Sequence, residues 1–502
     1  MKKITLISLG LSTDAIGIRI LSSLLKQNGY QSQLLFLPTL EDLKRKATRI
    51  RYQYRENVLN QIINLCKDSI LIGISLMTHH HSVAVELTRR IKSFISAPII
   101  WGGIHPTVCP EECLETADLV CVGEAEKSII ELASCLHNGY DISTIQGIWF
   151  KKNGCIINNG AGELARDLDS LPFPDYTFDD HHLLVQDKLE PMTPENWRRH
   201  LVKFFPPLNH DHPNNPAYQV LSARGCPFNC TFCGEYPLSE HIYGRYYFRR
   251  RSIANLIKEL VWARNAFPFI GEICFCDDTF ASRSFSEIEE FTRLYKEKIR
   301  LPFYILVSPV NVTKKAFDLL VDAGLTHVGM GIQSGSKTII ELYNRQHVGN
   351  VEQSLHAAKI INSYKDRLLP YYDFIIENPY ETNADFLDTV RLLIKLPRPY
   401  ISRVYALSFF PGTELQKKAV ADGIFYADMY DKTFGQRYQG GYLNFLIDMN
   451  KYHIPQKMLE ILISQPFLYL FNRPSIGRLL LGFHRFLKLV AMKFHFHERG
   501  LS

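Results

Sequence analysis

Cys226-Pro-Phe-Asn-Cys230-Thr-Phe-Cys233 is the stretch around which the chain is organised. It follows an apolar run, Tyr218 to Leu221, and the dipeptide Arg224-Gly225. Three thiolates this close in sequence can hold one metal cluster. A ferredoxin-type cluster takes four cysteines at other spacings, and no fourth cysteine follows here at ligand spacing. One iron of such a cluster is left for a ligand that is not protein. Structural zinc is the alternative, but zinc favours four ligands in two knuckles, and no second CxxC exists. His241 would be a fourth ligand at a spacing that fits no common zinc pattern. Buried thiols without a role are the remaining alternative.

The CxxxCxφC pattern, φ aromatic, resembles the signature of the radical S-adenosylmethionine (radical SAM) enzymes. The resemblance implies a [4Fe-4S] cluster on Cys226, Cys230 and Cys233, with the open iron binding the amino and carboxylate groups of S-adenosyl-L-methionine. It also implies reductive cleavage of SAM to methionine and a 5′-deoxyadenosyl radical. Phe232 corresponds to an aromatic that packs by the adenine, with plain core packing as the alternative.

The 502 residues are enough for two or three domains with cores of their own. Hydrophobic residues at 46% and charged residues at 22% are ordinary for a globular protein. A net charge of +6 is mild at this size and does not argue for nucleic acid. Eleven cysteines, several inside apolar runs, do not make a disulfide framework. With a low-potential cluster they point to a reducing, cytoplasmic setting. Met1-Lys2-Lys3 and the apolar residues Ile4 to Leu9 read as a first strand, because the run is too short for a signal peptide. No run reaches the ~18 apolar residues of a spanning helix.

Residues 1–140 alternate strand and helix signals. Strands are expected at Ile4 to Gly10, Ser32 to Leu37, Ser69 to Leu76, Pro98 to Trp101 and Leu119 to Val122. Helices are expected at Ile16 to Asn28, Leu40 to Cys66 and Ser82 to Phe94. Strands without polar alternation, spaced by helices, predict a doubly wound parallel sheet with ligands at the strands' carboxyl ends. Those ends carry Gly10-Leu11-Ser12, Met77-Thr78 with His79 to His81, Gly102-Gly103-Ile104-His105-Pro106 and Gly123-Glu124-Ala125-Glu126. Trp101-Gly-Gly-Ile-His-Pro and Val122-Gly-Glu-Ala-Glu in this layout resemble the Rossmann-like cobalamin-binding domain that precedes many radical SAM barrels. The resemblance implies a cobalamin site at Ser12, Met77, Thr78, Gly102, Gly103, His105, Gly123 and Glu124. The Asp-x-His-x-x-Gly motif that supplies a lower axial histidine in many cobalamin domains is absent. The three consecutive histidines read as lining the corrin pocket, with a solvated loop or helix start, and cobalt ligation by one of them, as the alternatives.

Residues 141–216 read as a linker, with a small hairpin at Ile148 to Asn158, a rigid segment at Leu171-Pro-Phe-Pro-Asp-Tyr176 and a mobile loop from 177 onward. That loop includes Asp179-Asp180-His181-His182 and His210-Asp211-His212-Pro213. Residues 217–420 alternate strand and helix again. Strands are expected near Gln219–Ser222, Glu272–Cys276, Phe303–Leu306, His327–Gly331, Tyr371–Ile376 and Arg403–Phe409. A partial (β/α)6 barrel of TIM type follows, with its site at the strand ends. Radical SAM domains have this architecture. In this branch a DD-x-F sequence resembles Asp277-Asp278-Thr279-Phe280, and G-I-E/Q-S-G resembles Gly331-Ile332-Gln333-Ser334-Gly335. The resemblance implies SAM contacts from Asp277, Asp278, Gln333 and Ser334, with helix capping as the alternative for one aspartate. Asn378-Pro379-Tyr380-Glu381-Thr382 departs from the related G-x-P-G-E-T, whereas Pro411-Gly412-Thr413 matches the usual ending. Glu381-Thr382 is expected to cap the next helix. Residues 421–502 read as a helical region, a substrate lid or a peripheral membrane contact.

These parts imply a radical SAM enzyme that methylates an unactivated carbon of a biosynthetic intermediate, with methylcobalamin as donor. The small-molecule substrate is expected to be sizeable and partly apolar. A reductant protein such as flavodoxin or ferredoxin, and no nucleic acid, completes the list of partners. A non-methylating rearrangement or cyclisation on the same cofactors is the first alternative. A non-catalytic cobalamin or iron–sulfur protein is the second.

Overall fold

In the computed structural model, residues 1–10, 13, 15–37, 54–201, 216–244, 247–425, 442, 445–447 and 456–471 are described. The chain forms two compact units. The first gathers the described residues of 1–203, 216–271 and 409–434, and the second those of 272–408 and 435–502.

The first unit opens with β1 (Lys3–Ser8), α1 (Ile16–Gln27), β2 (Gln31–Phe36), α2 (Glu56–Cys66), β3 (Ser69–Ser75), α3 (His81–Lys92) and β4 (Ile99–Gly102). Two short helices follow, α4 (Ile104–Val108) and α5 (Pro110–Cys113), then β5 (Leu119–Cys121) and α6 (Glu126–Asn138). The five strands lie parallel in the order β5-β4-β3-β1-β2. Ile7, Ile72, Ile74 and Trp101 are fully or almost fully buried, so the apolar runs have helices on both faces as expected. Each predicted strand is present. The predicted helix from Leu40 is described only over α2, and residues 38–53 lie outside the described residues.

The linker joins this sheet at both edges. β6 (Ile148–Lys152) and β7 (Cys155–Ile157) form the expected hairpin, antiparallel on β5. β8 (His181–Val185) and β9 (Lys188–Pro191) form a second hairpin, with β8 parallel to β2. α7 (Pro194–His200) follows. The loop expected from 177 is therefore regular structure up to His200. Its turn is carried by Gln186 at φ 54°, where no glycine announced it. Thr193 caps α7 with Asn196 in a capping box, with Pro194 in the first turn. His210 to Pro213 lie outside the described residues.

His181 is buried because it belongs to a polar cluster beneath β8. Its Nε2 is 3.2 Å from Asp175 Oδ2, which also accepts from Ser22 Oγ at 2.6 Å and pairs with Lys26 at 2.8 Å. Arg19 donates to the Asp175 carbonyl and packs over the Tyr176 ring. The Pro-rich segment thus anchors on α1.

β10 (Ala217–Val220), β11 (Ala223–Arg224), β12 (Arg249–Arg250) and α8 (Ile253–Ala266) complete the main run of the first unit. The second unit continues with β13 (Glu272–Phe275), α9 (Phe285–Lys298), β14 (Phe303–Val307), α10 (Lys314–Asp322) and β15 (Leu325–Gln333). Then come α11 (Lys337–Leu342), α12 (Gln346–Gly349), α13 (Val351–Asn362), β16 (Leu369–Ile376), α14 (Asn383–Lys395) and β17 (Ile401–Ala406). β13 to β17 pair in parallel, each with the next. The alternation from β10 to β17 is that of the expected partial (β/α)6 barrel, and each expected strand is present within three residues at either end. Ser284, Thr313, Asn350 and Thr382 cap the helices that follow the strands, which is why those boundaries were legible.

α15 (Glu414–Ala421) returns to the first unit. Of the C-terminal region, α16 (Gln456–Leu462) and α17 (Gln465–Phe471) are described, and α16 packs on α14. The apolar, cation-bearing stretch Ile476 to Phe496 lies outside the described residues. Among the described residues no helix is long and apolar enough to cross a membrane.

Candidate active site

The cysteine loop leaves β11, which pairs antiparallel with β12. Gly225 has φ 78°, and a Cβ there would stand 2.7 Å from the Tyr247 ring. Only glycine lets the chain pass beneath that ring into Cys226. Cys233 N donates to the Cys230 carbonyl at 3.1 Å, so the loop turns tightly between the last two cysteines. Cys230 is buried, and Cys226 and Cys233 are half-buried; none is in a disulfide. Leu415 N donates to the Thr231 carbonyl, tying the start of α15 to the loop. His241 instead meets Lys417, Nε2 to Nζ 2.9 Å, and the Tyr236 ring. The donor set on this loop is thus three thiols, one buried and two half-buried, which suits a cluster with one iron free. Phe232 is half-buried between them.

A cavity of about 400 Å³ lies in the same unit. Its first wall is the carboxyl ends of β3, β4 and β5: Met77, Thr78, Gly103, Gly123 and Glu124, with Ile104, Thr107 and Val108 of α4. Its second wall is Gly234, Glu235, Leu238, Tyr243 and Tyr247, which follow the third cysteine, with Phe410 and Pro411. Five of the eight expected cobalamin residues therefore line one cavity. Gly102 and His105 are not among its lining, and Ser12 lies outside the described residues. A Cβ on Gly103, at φ 104°, would stand 2.7 Å from the Leu76 carbonyl, and one on Gly123, at φ 87°, 1.9 Å from Tyr243 Oη. The close approach that Gly123 permits is thus made by the protein's own tyrosine. Tyr243 Oη accepts from Glu124 N and donates to the Gly162 carbonyl.

Glu124 is a brace. Its carboxylate accepts from both terminal nitrogens of Arg249 at 2.6 and 3.0 Å, and lies 3.1 Å from Arg224, which also pairs with Glu126 at 2.7 Å. Burial pushes the Glu124 carboxyl up, but the Arg249 hydrogen bonds and the Arg224 and Arg249 charges hold it below its ordinary value. Arg224 is two residues before Cys226, so this network holds the end of β5 to the root of the cysteine loop. Glu235 faces the cavity with its Oε2 buried and without a hydrogen-bond partner, and burial raises its proton affinity. Glu235, Tyr243, Arg224 and Arg249 were not singled out from sequence. The only signal was their closeness to the third cysteine or to Gly225.

His79 to His81 open a helix, as expected, with Thr78–His80 a 3-10 turn and α3 starting at His81, but none of the three is among the cavity's lining residues. Burial, and the neighbouring His79, push the His80 imidazole down to about 3, so it is neutral. Burial and the neighbouring His81 do the same to His105, also to about 3.

In the second unit Gln333 sits at φ 73° at the end of β15, half-buried. Ser334 is fully buried: its hydroxyl is 3.2 Å from Thr389 Oγ1 and accepts from Ser336 N, so it organises the turn. Asp277 is buried whereas Asp278 is exposed, so the expected pair splits. Neither caps the next helix, since Ser284 does. Thr382 with Asp385 caps α14, and Glu381 does not. Glu377, at φ 55°, takes the place of the pattern's first glycine, and the Asn378 side chain accepts from Tyr380 N and donates to Tyr343 Oη. One face of this sheet also carries Arg403 on both carboxylate oxygens of Asp373, at 2.6 and 2.8 Å, with Tyr304 3.5 Å away. Gly329 leaves the space for them, since a Cβ would stand 2.2 Å from Tyr304 Oη.

A doubly wound sheet with a strand-end cavity, a three-thiol loop beside it and a parallel-barrel sheet define a cofactor-dependent α/β enzyme. Residues 220–393 match the model of the radical SAM superfamily, and residues 2–133 that of the B12 binding domain. The chain belongs to the cobalamin-dependent radical SAM enzymes, which use a [4Fe-4S] cluster, SAM and cobalamin. It is 27% identical to the uncharacterized methyltransferase PH0819 of Pyrococcus horikoshii, over 71% of each chain. It is 22% identical to the bacteriochlorophyllide d C-8(2)-methyltransferase of Chlorobaculum tepidum, over 74% of this chain and 72% of that one. The radical SAM methyltransferase TsrM of Kitasatospora setae, solved with cobalamin and a [4Fe-4S] cluster, has the same fold, with a TM-score of 0.63 at 15% identity, over 84% of this chain and 78% of that one.

Proposed function

We propose that the enzyme methylates a carbon of a small biosynthetic intermediate, and that the strand-end cavity receives the corrin. The carrying observation is that one cavity is walled by the cobalamin-domain loops and by the residues directly after Cys233. When bound, the cofactors supply a carbon radical and a cobalt-carried methyl group. The protein's share is placement. Cys226, Cys230 and Cys233 would hold the cluster, and Phe232, Gln333 and the exposed Asp278 are the SAM-contact candidates. Thr78 offers a hydroxyl group to the corrin, Gly103 a backbone without a side chain, and Glu235 a carboxyl whose Oε2 has no hydrogen-bond partner. Glu124 keeps the two walls together through Arg224 and Arg249.

In domain terms, 1–140 is the cobalamin region, 141–216 its connecting segment, 217–420 the radical SAM region and 421–502 a substrate-specific region. A flavodoxin or ferredoxin in a reducing cytoplasm is the fitting reductant. The relatives' methyltransferase names support methylation over rearrangement. The test is product mass with SAM, reductant, cobalamin and the pathway's intermediate. A gain of one CH2 carrying the methionine methyl label is expected. Turnover without that gain overturns methylation. Cys230→Ala should abolish deoxyadenosine release and leave cobalamin uptake in place.

A further inference from the structure

Behind the cavity wall lies a second cluster of ligand-type side chains that the function above does not use. His81 Nε2 is 3.8 Å from Glu112 Oε1, and His105 Nε2 is 3.9 Å from Glu112 Oε2. The two imidazole rings are 4.9 Å apart, and one ligand atom from each of the three residues falls within 4.8 Å of the others. These separations are too long for hydrogen bonds. They are near the ~3.3 Å between two ligand atoms each ~2.0 Å from a tetrahedral ion. His105 is 1% exposed, and neither of its ring nitrogens has a hydrogen-bond partner. A buried imidazole with both nitrogens unsatisfied is costly unless something fills the place of a partner. His81 is held edge-on against Trp101, so its ring is aimed.

We propose that His81, His105 and Glu112 bind a zinc-class divalent transition-metal ion, with water in the fourth position. Two imidazole nitrogens and a carboxylate oxygen are a zinc donor set. Glu112 is half-exposed, which gives the ion and its water a way in. Cys109, between α4 and α5, adds a thiol next to Glu112. The ion joins the start of α3 to α4 and α5. Met77, Thr78, Ile104, Thr107 and Val108 of the cavity wall lie on those same segments. The site would therefore stiffen one side of the cavity from behind, because residues 104, 107 and 108 occupy a different face of the helix from 105.

The experiment is zinc uptake by the full-length protein with its cluster assembled, measured by metal analysis and competition with a chromogenic chelator. Cobalt(II) absorption serves as a coordination probe. One zinc per chain beyond the cluster iron is expected. Glu112→Gln and His105→Ala should weaken it at least tenfold, and His137→Ala, on α6, should not. Glu112 is at the surface, so its variant keeps the fold even where His105→Ala does not; far-UV circular dichroism checks both. Zinc that survives Glu112→Gln but disappears with Cys226→Ala and Cys230→Ala would be zinc in the cysteine loop, and overturns the proposal. So does a wild-type chain that takes up none.

Discussion

At the scale of single residues, burial and charge decide what each group can do. Glu381 is the clearest case. Burial, with Asp385 beside it, pushes its carboxyl up to about 8, and its Oε1 has no hydrogen-bond partner. Between pH 4.5 and 8 the folded state keeps a proton that the unfolded chain has released, so folding loses stability as pH rises. Glu381→Gln should stabilise the protein on the order of 1–3 kcal/mol at pH 7, with the gain vanishing below pH ~4.5. Urea unfolding across pH measures it, and an unchanged midpoint at pH 7 counts against a buried carboxyl. Gly123 is a second case. At φ 87°, with Tyr243 in the place of a Cβ, Gly123→Ala should cost about 2–4 kcal/mol and weaken cobalamin uptake. Thermal melts and corrin binding read both effects.

At the scale of elements, the chain uses charged side chains to join segments far apart in sequence. Glu124 after β5 accepts from Arg249 on β12 and pairs with Arg224 on β11. Glu124→Gln takes the counter-charge from the buried Arg249 and leaves Arg224 with Glu126 alone. A loss of about 2–4 kcal/mol is expected, with iron retention falling alongside, since Arg224 is at the root of the cysteine loop. Iron content after gel filtration and the unfolding midpoint should fall together; iron loss without destabilisation would mean Glu124 acts only on the loop. The α1 to β8 joint works the same way through Asp175 and His181. Its sequence looked like a polar loop because two histidines and two aspartates hid a strand, and Gln186 made the turn without glycine. Thr193-Pro194-Glu195-Asn196 was a readable helix start that the surrounding polarity obscured.

At the scale of the whole molecule, these titrations oppose one another. Burial pushes His181 below its usual range, outweighing the pull of Asp175. The unfolded chain therefore takes a proton there that the fold excludes, and stability falls as pH drops below 6.5. Asp175 is desolvated, yet His181, Lys26 and Ser22 hold its carboxyl below the carboxylate range, which removes further stability below pH 3.8. Glu381 acts in the other direction as pH rises. Maximum stability is expected between these arms, and His181→Gln should flatten the acid arm between pH 6.5 and 5. Melting temperatures over that range check it, and an unaltered slope would remove His181 from the account.

The sequence by itself determined the class of fold and the three cysteines. Those rest on local facts: apolar runs at strand length, capping residues at helix starts, glycines at strand ends and a fixed spacing of thiols. It also ordered the barrel strands, because each is a short, mainly apolar segment set between helices with readable caps. Only the tertiary structure decided which strand-end residues share a cavity. Five of the expected eight line it, while His105 turns away toward His81 and Glu112. Ser334 and Asp277 matched a family pattern but are buried, Ser334 within its own turn, whereas Gln333 stays half-exposed. Glu235 and Tyr243 carried no periodic signal, since a side chain's partner across a cavity is set by long-range packing and leaves no mark in neighbouring residues. The same holds for the His81, His105 and Glu112 cluster. Its members come from three helices, and only folding brings two imidazoles and a carboxylate within reach of one ion.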